Sequence, residues 1–294
     1  MTSICIVRDS NEGKYIIDEL ISRWEDFGYR VFNHFGTQKL PKCDIAIIHV
    51  DKTIVPKSYL KVVDNISRVV NRKILDISRR RYSATMLTID DEYEGQVIIK
   101  TNFNYGGIPE RTLDFSWKGI SWLKPMGYPI FNCIRQVPKR TNDLDFSWKG
   151  ISWLEPMDYP IFNSIRQVPK DIWENHNLIV ERFFPEKQDG LFYVRYWSFL
   201  GNMGSSGRFG AREPIVKFGN RLTDVERVQV PEELKILRDK LCIDYGRFDY
   251  VIHQGNVFIL DVNKTMGAGI TDLSADEYTQ NEVNILACGI KNFI

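Results

Sequence analysis

Residues 246–263 read GRFDYVIHQGNVFILDVN. Two runs rich in aromatic and β-branched residues flank Gln254-Gly255, the pattern of an antiparallel hairpin that turns at that pair. Asp249 stands on one strand, and Asp261 and Asn263 stand two apart on the other. Side chains alternate along a strand, so Asp261 and Asn263 share a face, and an antiparallel partner can bring Asp249 to it. Arg247, two before Asp249, shares the face of Asp249. Hard oxygen donors on a rigid sheet, without His or Cys, suit magnesium that keeps some waters and bridges phosphates. An arginine beside them suits a phosphate or an anionic intermediate. The competing reading is a solvated strand face.

The rest of the chain sets bounds on this reading. Its 294 residues are 43% hydrophobic and 26% charged, an ordinary globular composition with room for one large domain or two to three lobes. A formal net charge of +1 gives no overall field for nucleic acid or a membrane surface, and Arg79-Arg80-Arg81 reads as a solvated helix face. The five cysteines (Cys5, Cys43, Cys133, Cys242, Cys288) form no CxxC pair, which suits reduced, mostly buried thiols of a cytoplasmic protein. His34, His49, His176 and His253 show no metal spacing. No apolar run approaches the length of a membrane span, and the N-terminus lacks a signal-like apolar region.

Along the chain, SICIV (3–7) reads as a strand, and the following helical pattern ends at Gly28. YRVFNHF and CDIAIIHV are further strands, so the first ~50 residues read as a small α/β lobe. Residues 58–87 read as helix-rich. QVIIK (96–100) is a strand ending on lysine before the turn-rich TNFNYGGIPE, and LFYVRYWSFL is another strand. GNMGSSGRFG has neither a Walker-type GK[ST] nor GxGxxG order, and reads as a flexible loop between two strands. PEELKILRDKLCI is a helix, and SADE near Ser274 offers a capping box for the last one.

Taken in order, Lys100, a glycine loop, Glu181, Arg195, Lys217, Arg-x-Asp and Asp-x-Asn resemble the ATP-grasp superfamily, over roughly residues 70–270. The resemblance includes D-alanine–D-alanine ligase, glutathione synthetase and ribosomal-protein glutamate ligases. It implies an α/β fold in which an N-terminal α/β lobe (1–70) precedes two α+β lobes that sandwich ATP. These would be a lid lobe (71–180) and a C-terminal lobe (181–294). Asp249, Asp261 and Asn263 would hold Mg2+; Asp261 stands where the family commonly has Glu. Lys100 and Lys217 would clamp phosphates, with the flexible loop at Tyr105, Gly106 and Gly107 closing over them. Glu181 would accept from the adenine amino group, backbone near Arg182 and Phe183 would bond the ring edge, and Glu186 or Asp189 would reach the ribose. Arg195 lies where the family often places an arginine.

The activity so implied is ATP-dependent ligation of a carboxylate to an amine or thiol through an acyl phosphate. Arg247 would stabilise that intermediate. Lys264, Thr265, Gly267, Ala268 and Gly269 would border a small-molecule or peptide substrate. Two rival readings stand beside it: a kinase of the same fold acting on a hydroxyl, and a nucleotide-binding protein without turnover.

One feature is separate from this resemblance. Residues 113–139 and 144–170 are the same 27-residue segment, differing only at Lys124/Glu155, Gly127/Asp158 and Cys133/Ser164. Two units are too few for a solenoid. A 31-residue duplication (113–143 and 144–174) is tolerated where loop entropy grows slowly, which places it in a surface connection of the lid lobe. Its aromatics read as lid core, against the alternatives of a stacking platform or a homodimer contact.

Overall fold

The computed structural model describes residues 1–10, 13–110, 147–267 and 277–294. These divide into two compact units, Met1–Ala84 with Phe184–Ile294, and Thr85–Phe183.

In the first unit, SICIVR forms β1 (Ser3–Arg8) of a parallel sheet with β2 (Arg30–Phe35), β3 (Ile45–Ile48) and β4 (Arg68–Val70), in the order β2-β1-β3-β4. Its central strands β1 and β3 are apolar at nearly every position because both faces are covered. The helix Ile16–Asp26 buries Ile16, Ile17, Leu20 and Trp24 and stops at Phe27-Gly28, where Gly28 takes a φ of +83°. The helix-rich reading of 58–87 is corrected: only Lys57–Val62 and Arg79–Tyr82 are helical. Val69 and Val70 pair with Ala46 and Ile47, so sheet pairing outweighs local helix propensity. The solvated-face reading of the arginine run fails at Arg79, which is 2% exposed. Among the cysteines, Cys5 and Cys43 are buried, Cys288 is half-buried, Cys242 is exposed, and Cys133 lies outside the described residues.

In the second unit β5 (Val97–Thr101) is the middle strand of an antiparallel sheet, with β6 (Ile161–Phe162) and β7 (Leu178–Arg182) on either side. The second copy of the repeat supplies much of its core: Trp148, Leu154, Tyr159 and Phe162 are buried. Asn175 Nδ2 donates to the carbonyls of Trp148 and Ile151, and Asp171 accepts from the Trp148 amide. For this copy the lid-core reading of the aromatics describes what is seen. Glu155 and Asp158 are exposed and Ser164 is half-buried, so the positions that differ between the copies lie outside the core. The first copy, 113–143, lies outside the described residues.

The larger sheet of the first unit is antiparallel. It contains β8 (Glu186–Gln188), β9 (Leu191–Leu200), β10 (Met203–Ala211), β11 (Glu226–Arg227), β12 (Tyr245–His253) and β13 (Asn256–Asn263), in the order β11-β10-β9-β12-β13 with β8 also on β9. The loop expected over GNMGSSGRFG is corrected: only Gly201-Asn202 turns, and Met203–Ala211 is β10, paired along the whole of β9. A Cβ at Gly204, Gly207 or Gly210 would come within 2.7, 2.5 and 2.9 Å of the Trp197, Val225 and Tyr193 side chains. Those glycines admit bulky neighbours on a strand rather than loosening a loop. One face of this sheet packs Trp197, Phe199, Phe248, Tyr250 and Val262 against Leu234 of the helix Glu232–Leu241. The other face carries Val194, Tyr196 and Leu260, with Tyr278 of the helix Glu277–Cys288 against them. That helix begins where the described residues resume, so the capping box near Ser274 lies outside them.

Deleting 113–143 joins Thr112 to Leu144 and so recreates the Thr112–Leu113 junction, and the shortened chain should melt within about 2 °C of the intact one by calorimetry. In that shortened chain Trp148→Ala should cost about 3–5 kcal/mol. His49 is buried against the rings of Tyr15 and Tyr245, and burial, with the charges of Arg8 and Lys264, holds its imidazole well below the usual histidine range. The unfolded chain therefore binds a proton below about pH 6.5 that the folded chain refuses. Stability should fall as pH drops from 6.5 to 5, by up to about 1.4 kcal/mol per pH unit from this group, and His49→Leu should flatten that slope in urea titrations.

Candidate functional site

The β12–β13 hairpin turns at Gln254-Gly255, with φ of +51° and +79°, as a two-residue type I′ turn requires. From the turn, His253 faces Asn256 and Tyr250 faces Ile259. An unbroken register would next set Asp249 against Leu260 and send Asp261 to the opposite face. Instead the register shifts between Asp249 and Tyr250, so that Leu260 is the extra residue of a β-bulge. Asp249 then faces Asp261, and Arg247 faces Asn263. Across β12, Asp249 and Arg247 also face Tyr196 and Ser198 of β9, so all six side chains share one face of the sheet.

On that face Arg247 Nε donates to Asp249 Oδ1 at 2.7 Å, and the guanidinium lies 4.2 Å from the centroid of the Tyr196 ring. Asp261 Oδ1 accepts from the Val262 amide at 3.0 Å and lies 3.3 Å from the Arg79 guanidinium. Arg79 also donates to the carbonyl of Leu260, the residue at the bulge. Each carboxylate thus has one oxygen held. Among the described residues no partner meets Oδ2 of Asp249 or of Asp261, and these side chains stay 20% and 12% exposed. Both oxygens are free to accept a ligand.

Glu186 accepts a bidentate pair from Arg195 at 2.7–3.0 Å and the Ile252 amide at 2.8 Å, with Arg208 at 3.7 Å. The Glu186 carboxylate raises the pKa of Arg195 through this hydrogen-bonded pair. Asp189 sits with Gly190 in the tight turn joining β8 to β9, with φ of +50°. Lys217 is half-buried, its amide bonded to Asn220 Oδ1, and its ammonium has no ion-pair partner among the described residues. Lys264 is buried with Nζ donating to the carbonyls of Val50 and Lys52, and Thr265 donates to Asp51. Gly267 bridges to Tyr15, and Ala268 and Gly269 lie outside the described residues.

In the unit Thr85–Phe183, Lys100 and Glu181 lie diagonally across β5 and β7 and form an ion pair at 2.8 Å, with side chains 7% and 2% exposed. The amides of Arg182 and Phe183 donate to Thr85 O and Gln96 O. Tyr105, Gly106 and Gly107 all have positive φ, and Tyr105 is exposed. A Cβ on Gly106 would lie 2.0 Å from the Leu154 carbonyl oxygen, and one on Gly107 2.6 Å from that of Ser152. Packing against the second repeat copy alone therefore demands glycine at both positions.

The sequence matches no protein-family model and no curated protein. Its fold does match solved structures along nearly the whole chain. The macrocyclase MdnC of Microcystis aeruginosa, solved with its precursor peptide MdnA, superposes with a TM-score of 0.52 at 10% identity, over 98% of this chain and 100% of that one. A RiPP-associated ATP-grasp ligase of Chryseobacterium gregarium, in complex with ADP and a leader and core peptide, gives 0.51 at 10% identity, over 99% and 97%. The ATP-grasp ligase PsnB, complexed with a minimal precursor, gives 0.50 at 12% identity, over 98% and 97%. The chain has the ATP-grasp fold.

Within that ATP-grasp fold, three residues near the hairpin escape a reading of the sequence. Arg79 is hidden in a run that looks like a solvated patch, and nothing local marks it as the partner of Asp261. Tyr196 looks like one more aromatic of a strand. Glu282, on the helix Glu277–Cys288, accepts from the Tyr196 hydroxyl at 3.1 Å, and only its i, i+4 spacing from Tyr278 hints at an inward face. Among the described residues no helix is long and apolar enough to cross a membrane.

The buried Lys100–Glu181 pair gives a direct test. Lys100→Met removes the cation paired with the buried Glu181 carboxylate and should cost about 3–5 kcal/mol. Adding Glu181→Leu should recover most of that loss, measured as urea midpoints at constant m.

Proposed function

We propose that the chain is an ATP-dependent ligase that activates a substrate carboxylate as an acyl phosphate and joins it to an amine or thiol. The observation that carries the reading is the bulged register, which gathers Arg247, Asp249, Asp261 and Asn263 on one face, with Oδ2 of both aspartates meeting no partner among the described residues. Among the described residues no cluster of three His, Cys, Asp or Glu forms a metal site. Two carboxylates and the Asn263 amide nonetheless fit Mg2+, which keeps waters and substrate phosphate oxygens in its shell. Bound there, Mg2+ would neutralise the triphosphate.

The chain's own groups would do the rest. Asp249 and Asp261 are each held through Oδ1, so their Oδ2 atoms are aimed in advance. Arg247 would meet the anionic oxygens of the acyl phosphate and of the tetrahedral intermediate that follows amine attack. Lys217, whose ammonium has no ion-pair partner among the described residues, and Lys100 are the phosphate-binding lysines in this reading. Tyr105, Gly106 and Gly107 would be the loop over the phosphates. Glu181 and the backbone of Arg182 and Phe183 would face the adenine, and Asp189 or Glu186 the ribose. Glu186 already serves Arg195 and the Ile252 amide, which favours Asp189 of the two and makes Arg195 a structural partner before a catalytic one. The carboxylate substrate would be a peptide, a reading supported by MdnC, the Chryseobacterium gregarium ligase and PsnB, each solved in complex with a precursor or leader and core peptide.

Thermal denaturation with nucleotide tests the reading. Mg·ATP at about 100 times its Kd should stabilise the chain by about 2.7 kcal/mol, and the shift should need magnesium. Asp261→Asn, which leaves an oxygen for Arg79, should fold and lose that shift. A chain that gains no stability from Mg·ATP would overturn the ligase reading, and a stable phosphorylated product in place of free phosphate would redirect it to a kinase.

A further inference from the structure

Three elements converge behind Arg247. From β12, Arg247 commits Nε to Asp249 and leaves its two terminal nitrogens without a partner among the described residues. From β9, Tyr196 lays its ring under the guanidinium at 4.2 Å. From the helix Glu277–Cys288, Glu282 accepts the hydrogen of the Tyr196 hydroxyl at 3.1 Å. Tyr196 and Glu282 are 3% and 8% exposed.

A carboxylate is rarely buried unless its charge is used or neutralised. Pinning the helix to the sheet does not need a charge, since a neutral amide would accept the same hydroxyl hydrogen. What the charge adds is a field. A phenol that donates to a carboxylate becomes richer in π density, and an electron-rich ring face holds a cation more firmly. The guanidinium plane is then fixed on two sides, by Asp249 at Nε and by the ring below, and its terminal nitrogens form a fork open to one anion.

We propose that Glu282, acting through Tyr196, is a positioning residue for Arg247, setting the guanidinium to grip the terminal phosphoryl group of a bound triphosphate. This rests on the ligase reading given above. Burial raises the Glu282 carboxyl, and the Arg247 charge and the Tyr196 hydrogen bond oppose that rise.

The test is calorimetric titration of the full chain with Mg·ADP and with the magnesium complex of a non-hydrolysable ATP analogue. The ratio of the two Kd values reports the grip on the terminal phosphoryl group, and Arg247→Lys should reduce it. Glu282→Gln keeps an acceptor for Tyr196 and removes the charge. It should lower the ratio about tenfold, equivalent to about 1.4 kcal/mol, with Mg·ADP affinity and melting temperature unchanged. Tyr196→Phe should lower the ratio likewise while also costing stability, because it leaves the buried Glu282 without that donor; Glu282→Asp should restore part of the ratio, and Glu282→Gln should add nothing to Arg247→Lys. A ratio kept in both Glu282→Gln and Tyr196→Phe, with a lowered melting temperature, would reduce Glu282 to a helix clamp and overturn the proposal alone. Absence of Mg·nucleotide binding by the unmodified chain would overturn the ligase reading and this inference with it.

Discussion

In the β12–β13 hairpin, a two-residue turn and the strict alternation of side chains would carry Asp261 to the face opposite Asp249. The unpaired Leu260 reverses that parity. Past the bulge, Asp249 meets Asp261 and Arg247 meets Asn263. Before it, the hairpin continues to feed Tyr250, Ile252, Val257 and Ile259 into the apolar cluster on the other face. One inserted residue therefore lets the same pair of strands serve a core near the turn and a polar face beyond it. The bulge is supported from the side by Arg79, which takes the Leu260 carbonyl and the neighbouring Asp261 carboxylate together.

Several charged groups in the two units are buried to a degree that stability alone does not favour. Arg79 with Asp261, Glu186 with Arg195, and Lys100 with Glu181 in the other unit are each ion pairs largely removed from water. Apolar residues of similar size would be as stable or more so. Such pairs offer fixed geometry: Arg79 holds Oδ1 of Asp261, and Arg195 with the Ile252 amide holds both oxygens of Glu186. Tyr196 and Glu282 extend the same logic to Arg247 through a ring rather than a direct contact.

The repeat follows a different constraint. Gly106 and Gly107 lie so close to the carbonyls of Leu154 and Ser152 that no side chain fits, and Leu154 N donates to Gly106 O at 2.9 Å. The described copy is thus locked to the glycine loop by backbone contact and to β5 by its strand Ile161–Phe162. Its departures from the other copy fall at exposed or half-buried positions, where substitutions are nearly neutral.

What the sequence determined by itself was whatever depends on local pattern. Apolar runs placed β1, β3, β5 and β9, helical spacing placed Ile16–Asp26 and Glu232–Leu241, and Gln254-Gly255 placed the hairpin turn. The order of Lys100, Glu181, Arg247, Asp249, Asp261 and Asn263 pointed to the ATP-grasp fold. Tertiary structure decided what local pattern cannot encode. Val69-Val70 became a strand because β3 offered it an edge, and MGSSGRFGA became a strand because aromatic rings of β9 and neighbouring side chains fill the space its glycines leave. The bulge at Leu260 is likewise invisible along the chain, since a register is a relation between two strands and depends on partners such as Arg79, 181 residues away in sequence. The residue types of the site could be read in one dimension; their common face required three.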